Sequence, residues 1–567
     1  MKTPWTDKVD KELPLNEYPR PQLMRAEWLN LNGTWDYAIT KQDGIPSTYD
    51  GQITVPFSPE TELSGVMRTV RAGDRLWYHR IVTFPACYAG RRAILHFGAA
   101  DQTASVYVNG QWAISHVGGY LPFECDVTDL IKDGTAEITV CVTDDTDGSY
   151  HARGKQSSKR GGIWYTPQSG LWQSVWMEAV PQSYIRSLKI TPDFDAAQVC
   201  IEADVQGSEM ACALFDGQRY VLPARIDVPG FTPWTPETPK LYDFTVECGE
   251  DRVNSYFAMR KFSVEADGQG IKRLFLNGRP YYHNGLLDQG YWPDGLYTAP
   301  TDEALIFDIT TAKAMGFNML RKHIKVEPLR WYYHCDRLGM LVWQDMPCGG
   351  GLYHPAVITT PVVTGISIRD SHYRLFARQD AAGRAEYTAE LEEMIRHLYN
   401  CPCIAVWVPF NEGWGQFDAG KAVERILSLD TTRTVDHASG WHDQGLPDLY
   451  SRHVYFRKFR FKPDRHGRAA VLSEFGGYNH RIPGHAFNEK DFGYKALKGT
   501  EQYASGLARL FSEEIRPVVS RGLAASVYTQ LTDVEDELNG LITYDRQVCK
   551  LPPERVKEIV TVEQEPC

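Results

Sequence analysis

"AVWVPFNEGWGQ", residues 405–416, runs from Ala405 to Phe410 without a charge and then delivers Asn411 and Glu412 directly. An unbroken β-branched and aromatic run is how a strand buried on both faces reads, and such strands belong to parallel sheets covered by helices. Seven further runs of this kind lie around it: "PYYHNGLLDQ", "NMLRKHIKV", "MLVWQDM", "TVDHASG", "LYSRHVYF", "AAVLSEFGG" and "AASVYTQLTD". Between them fall amphipathic stretches with helical spacing, among them Thr301–Met315, Leu329–Leu338, Tyr387–Tyr399 and Ala419–Leu429. Strands alternating with helices predict a parallel α/β sheet. Eight strand–helix units in the roughly 295 residues after Lys272 predict a (β/α)8 barrel, the TIM barrel, which typically takes about 250. The barrel is expected over residues 264–567.

Upstream the rhythm is different. From Trp28 to about Pro181 short alternating strands follow one another ("TWDYAIT", "LWYHRIVTF", "RAILHFG", "ASVYVNGQWAISH", "AEITVCVTD"), with Asn109-Gly110 as a hairpin signal. Residues 1–181 are expected to form a jelly-roll β-sandwich. Residues 182–263 ("SLKITPDF", "QVCIEADV", "LYDFTVEC") suit a smaller immunoglobulin-like β-sandwich. The fold class is thus multidomain β plus α/β.

Composition narrows the function. The chain has 567 residues and a formal net charge of −12, so neither a nucleic-acid nor an anionic-membrane surface is expected. It carries 15 Trp and 30 Tyr, and aromatic faces suit the C–H faces of sugars. No apolar signal-like run opens "MKTPWTDKVDKELPLNEYPRPQ", and the 12 Cys are scattered through apolar stretches. Reduced core cysteines in a cytoplasmic protein are the expectation. No paired CxxC or HxxxH spacing occurs, so no metal or other cofactor is expected. The expected partner is an oligosaccharide or glycoside; a homo-oligomer is left open.

In a barrel of this class the reacting groups sit at the C-terminal strand ends. Glu412 is expected to end strand four and Glu474, in "AVLSEFGG", to end strand seven. Asp288, Lys322, His323, Gln344, Asp345, His437, His453, Tyr455, Tyr528 and Gln530 fall at other strand ends. A single Glu at a strand end is more often solvated or salt-bridged. Two, each after a buried strand and each beside Gly and an aromatic, match the carboxylate pair of glycoside hydrolysis.

At "FNEGWG" and "SEFGG" the chain resembles glycoside hydrolase family two, the family of β-galactosidases, β-glucuronidases and β-mannosidases. The resemblance extends over nearly the whole length, through "LNGTWDY", "WYHRIVTFP", "VYVNGQWAISHVGGYLPFECDVT", "SGLWQSVWME", "LFLNGRPYYHNG", "AMGFNMLRKH" and "CDRLGMLVWQDM" in order. It implies that Glu412 is the acid/base, Glu474 the nucleophile of a retaining double displacement, and Asn411 the partner of the sugar 2-hydroxyl. It implies that Tyr455 hydrogen-bonds the nucleophile, that His453 lines the pocket, and that Arg321, in the strand-two motif with Asn318 and His323, braces a glutamate through a bidentate pair. The carboxyls of such a pair stand about 5–5.5 Å apart.

The sequence also departs from the family's better-known members. "RKHIKVEP" displaces His323 by one residue, and "LDQGYWPDG" stands where β-galactosidases carry histidines. The Asn-x-Lys clamp of β-glucuronidases has no match after Glu474, where "GGYNHRIPGH" leaves Arg481 as a substitute cation. Asp288, Trp292 and Asp294, with Trp441 and Asp443, are the candidate specificity residues. "QLTDVEDELNG" lacks the alternating acids of a Ca²⁺ loop and reads as a solvated turn from which Gln530 or Asp533 reaches the pocket.

These features predict a retaining exo-β-glycosidase for a neutral sugar, β-galactoside-like, with an arabinoside as a close relative of that substrate. A β-glucuronidase or β-mannosidase is the alternative within the class. A non-catalytic carbohydrate-binding protein would have lost a glutamate, and both are present. A metal-dependent barrel hydrolase would need His323, His437 and His453 as ligands.

Overall fold

The structure is a computed structural model and describes residues 1–562. All eight barrel strands read from the sequence are present in one parallel sheet. In chain order they are His283–Asp288, Met319–Lys322, Leu341–Asp345, Ile404–Val408, Thr434–Val435, Leu449–Val454, Ala469–Gly476 and Leu523–Thr529. The first pairs with both the second and the eighth, so the sheet curls almost to closure. The seam lies between the fifth and sixth strands, where ladder pairing is replaced by Asp448 N–H donating to Val435 O at 2.9 Å and by the Ser439–Ser451 hydroxyl contact at 3.3 Å.

The expectation of eight strand–helix units is not met. Helices Asp302–Ala314, Leu329–Leu338, Ala381–Leu398, Ala419–Leu429, Thr500–Leu510 and Pro553–Val560 flank the barrel. Among the described residues none stands between strands five and six or between six and seven. There the chain runs as loops that carry side chains to the barrel mouth. The third of these helices starts earlier than the apolar spacing suggested, because Asp380 caps it by accepting from Ala382 and Gly383 N–H.

Two antiparallel sheets, of four and six strands, pack face to face over residues 28–180. Trp35, Tyr78, Leu95, Phe97, Val106, Ile138 and Met177 fill the space between them. Asn109 (φ 49°) and Gly110 (φ 73°) both take left-handed backbone between paired strands Thr103–Val108 and Gln111–Val117, the turn that Asn-Gly favours. A second pair of sheets, of three and four strands, spans Tyr184–Phe257 around its own core of Ile190, Ile201, Phe244 and Val253.

The first residues of the chain belong to neither sandwich sheet. Trp5 packs on Trp292 and Phe307 of the barrel, and Thr3 and Thr6 donate to Asp294 at 2.6 and 2.5 Å. Further on, Arg25 bridges Glu178 and Asp251, at 2.7 and 2.8 Å, and so ties the two sandwiches together. Among the described residues no helix is long and apolar enough to cross a membrane.

Candidate active site

The fourth barrel strand stops at Val408, so Glu412 lies four residues beyond it rather than on its last position. Pro409 has no N–H to extend a ladder. Pairing resumes once, where Asn411 bridges Ser439, and Glu412 N–H then donates to Ser439 O at 2.9 Å. Glu412 takes a left-handed φ of 51° and Gly413 one of 73°, which turns the carboxylate across the barrel mouth. A Cβ at Gly413 would stand 2.5 Å from the His442 ring, so the turn needs glycine there for space as well as conformation.

Glu474 lies inside strand seven, and the ladder places it opposite His453 of strand six. His453 Nδ1 is 2.7 Å from Glu412 Oε1 and 3.5 Å from Glu474 Oε2, so one imidazole touches both carboxylates. Its Nε2 meets the Ser439 hydroxyl at 3.0 Å. Gly440 makes room for this ring: a Cβ there would sit 2.8 Å from Nδ1. The nearest oxygens of Glu412 and Glu474 lie within 4.8 Å of each other.

Arg321, on strand two and fully buried, is the hub of the floor. It donates to Asp345 at 3.0 Å, to Glu474 at 3.1 Å, to Ser473 O at 3.1 Å and to Asn411 Oδ1 at 2.8 Å. The expected bidentate clasp on one glutamate is therefore not formed. The guanidinium fork spreads over several groups instead, which fixes their relative positions. Tyr455 donates its phenol to the other oxygen of Glu474, and its ring lies flat on Tyr494, with centroids 3.7 Å apart. Asn411, with its carbonyl taken by Arg321, keeps an amide N–H₂ that is buried and has no acceptor among the described residues.

Burial sets the electrostatics. It pushes Glu412 up to about 8, against the opposing charges of Lys155 and Arg321. Burial also raises Glu474, helped by the charge of Glu412 and opposed by His453, Arg321 and the Tyr455 hydrogen bond. The same desolvation lowers His453 to about 4 and holds it neutral. His323 is pushed well down in the same way; its Nδ1 is fixed by Asp345 at 2.7 Å. The site thus offers one carboxyl protonated at neutral pH, a second carboxylate with fixed donors, and neutral imidazoles.

Trp441 belongs to the cluster: its indole N–H donates to Glu412 O at 2.9 Å and its half-buried ring meets His453 edge-on. Three candidate residues do not. Asp288 is occupied by Lys322 Nζ at 2.7 Å and Gly290 N–H at 3.0 Å. Trp292 is packed between Trp5 and the Arg546 guanidinium, 4.1 Å from its ring. Gln530 is fully buried, with its amide spent on Gln289 at 2.7 Å and Asn539 at 2.8 Å. None of their contacts is with the glutamates. Asp294 anchors the N-terminal residues, and Asp443 is gripped by Arg468 at 2.7 and 2.8 Å. Arg481, the substitute cation, pairs with Asp491 at the surface.

The acidic stretch after strand eight is not a solvated turn. Asp533, Glu535, Asp536 and Glu537 are all buried. Lys550 takes Asp533 at 2.6 Å, Arg160 takes Glu535 and Asp536 at 3.1 Å each, and Glu537 accepts from Tyr165 and from Asn539. Arg160 and Tyr165 come from the first sandwich, so the burial of these acids depends on a domain contact that local sequence does not display. The same segment brings Trp164 onto Trp414, 5.2 Å between rings. Lys155, Tyr165, Trp414, Tyr494 and Glu537 also stand around this cluster, though none is among the residues that the sequence singles out. The signal for the first two was the irregular stretch of about 25 residues between Thr143 and Gly170, a length that within a compact domain marks a functional loop.

Glu412, His453 and Glu474 are close enough for a cation to bridge them. Glu474, however, already accepts from Arg321 and Tyr455, and the buried guanidinium adds a fixed positive charge, so the donor set fits a metal poorly. His437 points to Asp443 at 3.0 Å and is not part of the cluster.

Residues 47–181 match the model described as glycosyl hydrolases family 2, sugar binding domain, and residues 270–465 match the TIM barrel domain of the same family. Together these regions make up more than half of the chain; Glu412 lies within them and Glu474 beyond them. The chain is 23% identical over 431 residues to a β-galactosidase of Thermoanaerobacter pseudethanolicus, with 70% of this chain and 54% of that protein aligned. It is 24% identical over 430 residues to the β-glucuronidase of Homo sapiens, with 66% and 61% aligned. The chain therefore spans only about half to three fifths of these curated relatives. A solved β-D-glucuronidase of Dictyoglomus thermophilum superposes with a TM-score of 0.74 at 17% identity, covering 96% of this chain and 98% of that one.

Proposed function

The chain belongs to glycosyl hydrolase family 2, and from that premise we propose that it hydrolyses terminal β-glycosides by a retaining double displacement. Glu474 attacks the anomeric carbon while Glu412 protonates the leaving oxygen; Glu412 then deprotonates the water that releases the sugar. The single observation that carries this is the pair itself: two buried carboxyls with oxygens within 4.8 Å, one held protonated by burial and the other held by Arg321 and Tyr455. Such closeness favours direct attack over an inverting arrangement, whose carboxyls stand about 6.5–9.5 Å apart to admit water.

Each neighbour has a part. Tyr455, whose phenol burial keeps protonated, orients Glu474 and donates to it. The amide donor of Asn411, without an acceptor among the described residues, would take the sugar 2-hydroxyl, a contact that strengthens as positive charge builds at the anomeric carbon. His453, neutral and shared between the two glutamates, aligns Glu412 without competing for its charge. His323, with Nδ1 held by Asp345, presents Nε2 as an acceptor for a sugar hydroxyl. Trp441 supplies an aromatic wall. A neutral, β-galactoside-like sugar is the first expectation for the substrate. A uronide is the second, favoured by the cation Lys155, whose nearest carboxylate oxygen is 3.9 Å away, and by relatives named for glucuronides.

Glu412→Ala with azide tests the assignment. Azide, which needs no general base, should restore turnover of a dinitrophenyl glycoside and give a glycosyl azide of unchanged anomeric configuration. No rescue, or the opposite anomer, contradicts it.

A further inference from the structure

Lys155 lies in the segment with which the first sandwich reaches the barrel mouth. Its backbone is pinned on both sides: Arg153 and Gly154 N–H donate to Cys348 O at 2.9 and 3.0 Å, and Tyr165 N–H donates to Lys155 O at 3.0 Å. The residue is only 5% exposed. Yet its ammonium donates no hydrogen bond to any described residue. The nearest carboxylate oxygen is that of Glu537, at 3.9 Å, and its other neighbours are ring faces, Tyr165 at 5.3 Å and Trp414 at 5.8 Å.

The other buried lysines differ. Lys322 is spent on Asp288 and Glu327, Lys325 on Gly290 O, Tyr297 O and Glu327, and Lys550 on Asp533 and Leu538 O, all between 2.6 and 2.9 Å. An ammonium on a buried stem that donates to no protein oxygen is left to donate to water or, in a pocket, to a ligand oxygen. The Trp414 ring that Lys155 faces also lies against the His323 ring, 6.0 Å between centroids, two residues beyond Glu412, which puts the ammonium on the side of the cleft that these two residues border. Glu537 beside it is held rigidly, one oxygen by Tyr165 and the other by Asn539, which Gln530 in turn positions.

We propose that Lys155 is a substrate-binding residue: its ammonium donates to an oxygen of the sugar held between Glu412 and His323, so that the sandwich domain completes the barrel's site. The assignment rests on Glu412 and Glu474 being the reacting pair. The acceptor is a sugar oxygen, either a hydroxyl or the carboxylate of a uronide.

Lys155→Met keeps the stem on its aromatic neighbours and removes the donor and the charge. Steady-state kinetics on aryl β-galactoside and aryl β-glucuronide, in the full-length chain, should show KM raised at least about tenfold on the preferred substrate with kcat within about threefold. Lys155→Arg should recover part of the loss. A loss confined to the glucuronide identifies a carboxylate acceptor; an equal loss on both identifies a hydroxyl. KM within twofold of the parent, or a lowered melting temperature with KM unchanged, overturns the proposal. Glu412→Ala and Glu474→Ala, run alongside, keep the two claims apart. If they abolish hydrolysis of a poor-leaving-group substrate while Lys155→Met leaves KM alone, only the assignment of Lys155 fails. If they remain fully active, the reacting pair itself is wrong.

Discussion

The protonation of Glu412 can be moved by pH alone, and its consequence worked out. With its carboxyl held at about 8, roughly nine tenths of the enzyme carries the acid proton at pH 7. At an ordinary carboxyl value the fraction would be about one in 500. A raised value means the required form is present below it and lost as pH rises through it. For an alkyl β-glycoside, a poor leaving group, kcat/KM should therefore be flat to about pH 7 and fall roughly tenfold per unit above pH 8. The acidic limb belongs to Glu474, which must be ionised. Because burial raises it too, that limb should lie above the ordinary carboxyl range. A dinitrophenyl glycoside leaves without a proton, so its kcat/KM should keep the acidic limb and lose the alkaline one. Glu412→Gln should impose the same flat alkaline profile on what activity remains. Measuring kcat/KM against pH for both substrates decides the matter. An alkaline limb centred below pH 6, or the same limb for both leaving groups, would refute the assignment of Glu412.

Two further outcomes follow from the floor of the site. Asn411→Ala removes the unpartnered donor and should lower kcat/KM by about 10²–10³ on a natural glycoside, while a 2-deoxy glycoside should separate variant from parent far less; equal losses would deny the 2-hydroxyl contact. Arg321→Met strands Asp345 and Glu474 without their shared cation, which should cost about 3–5 kcal/mol of stability. Thermal unfolding at pH 7 should show a clear fall in melting temperature, and an unchanged value would mean that the guanidinium is not the hub described.

The barrel was legible because its strands are buried on both faces and so write themselves as continuous apolar runs; Ala405–Val408 and Ala469–Leu472 are plain examples. The two glutamates were legible for the same reason, as charges standing at the ends of such runs. What local patterns could not give was the exact end of strand four, where Pro409 and a left-handed Glu412 intervene. Nor could they give the missing helices around strand six, since loops there leave no periodic trace. The largest misreading, the acidic stretch from Asp533 to Glu537, has a physical cause: its neutralising partners, Arg160 and Lys550, and the hydroxyl of Tyr165 are brought to it by docking of distant segments. Lys155 was missed likewise, because a lysine in an irregular loop looks solvated until another domain covers it.

The covalent step is the centre of the account, and a trapped glycosyl-enzyme tests it most directly. A 2-deoxy-2-fluoro glycoside with a dinitrophenyl leaving group slows both steps but lets the first proceed, so the intermediate should accumulate with one sugar per chain. Peptide mapping by mass spectrometry should place the added mass in "AVLSEFGG", residues 470–477, on Glu474. A label on Glu412 would reverse the two roles, and an active enzyme that never takes up the label would contradict double displacement altogether.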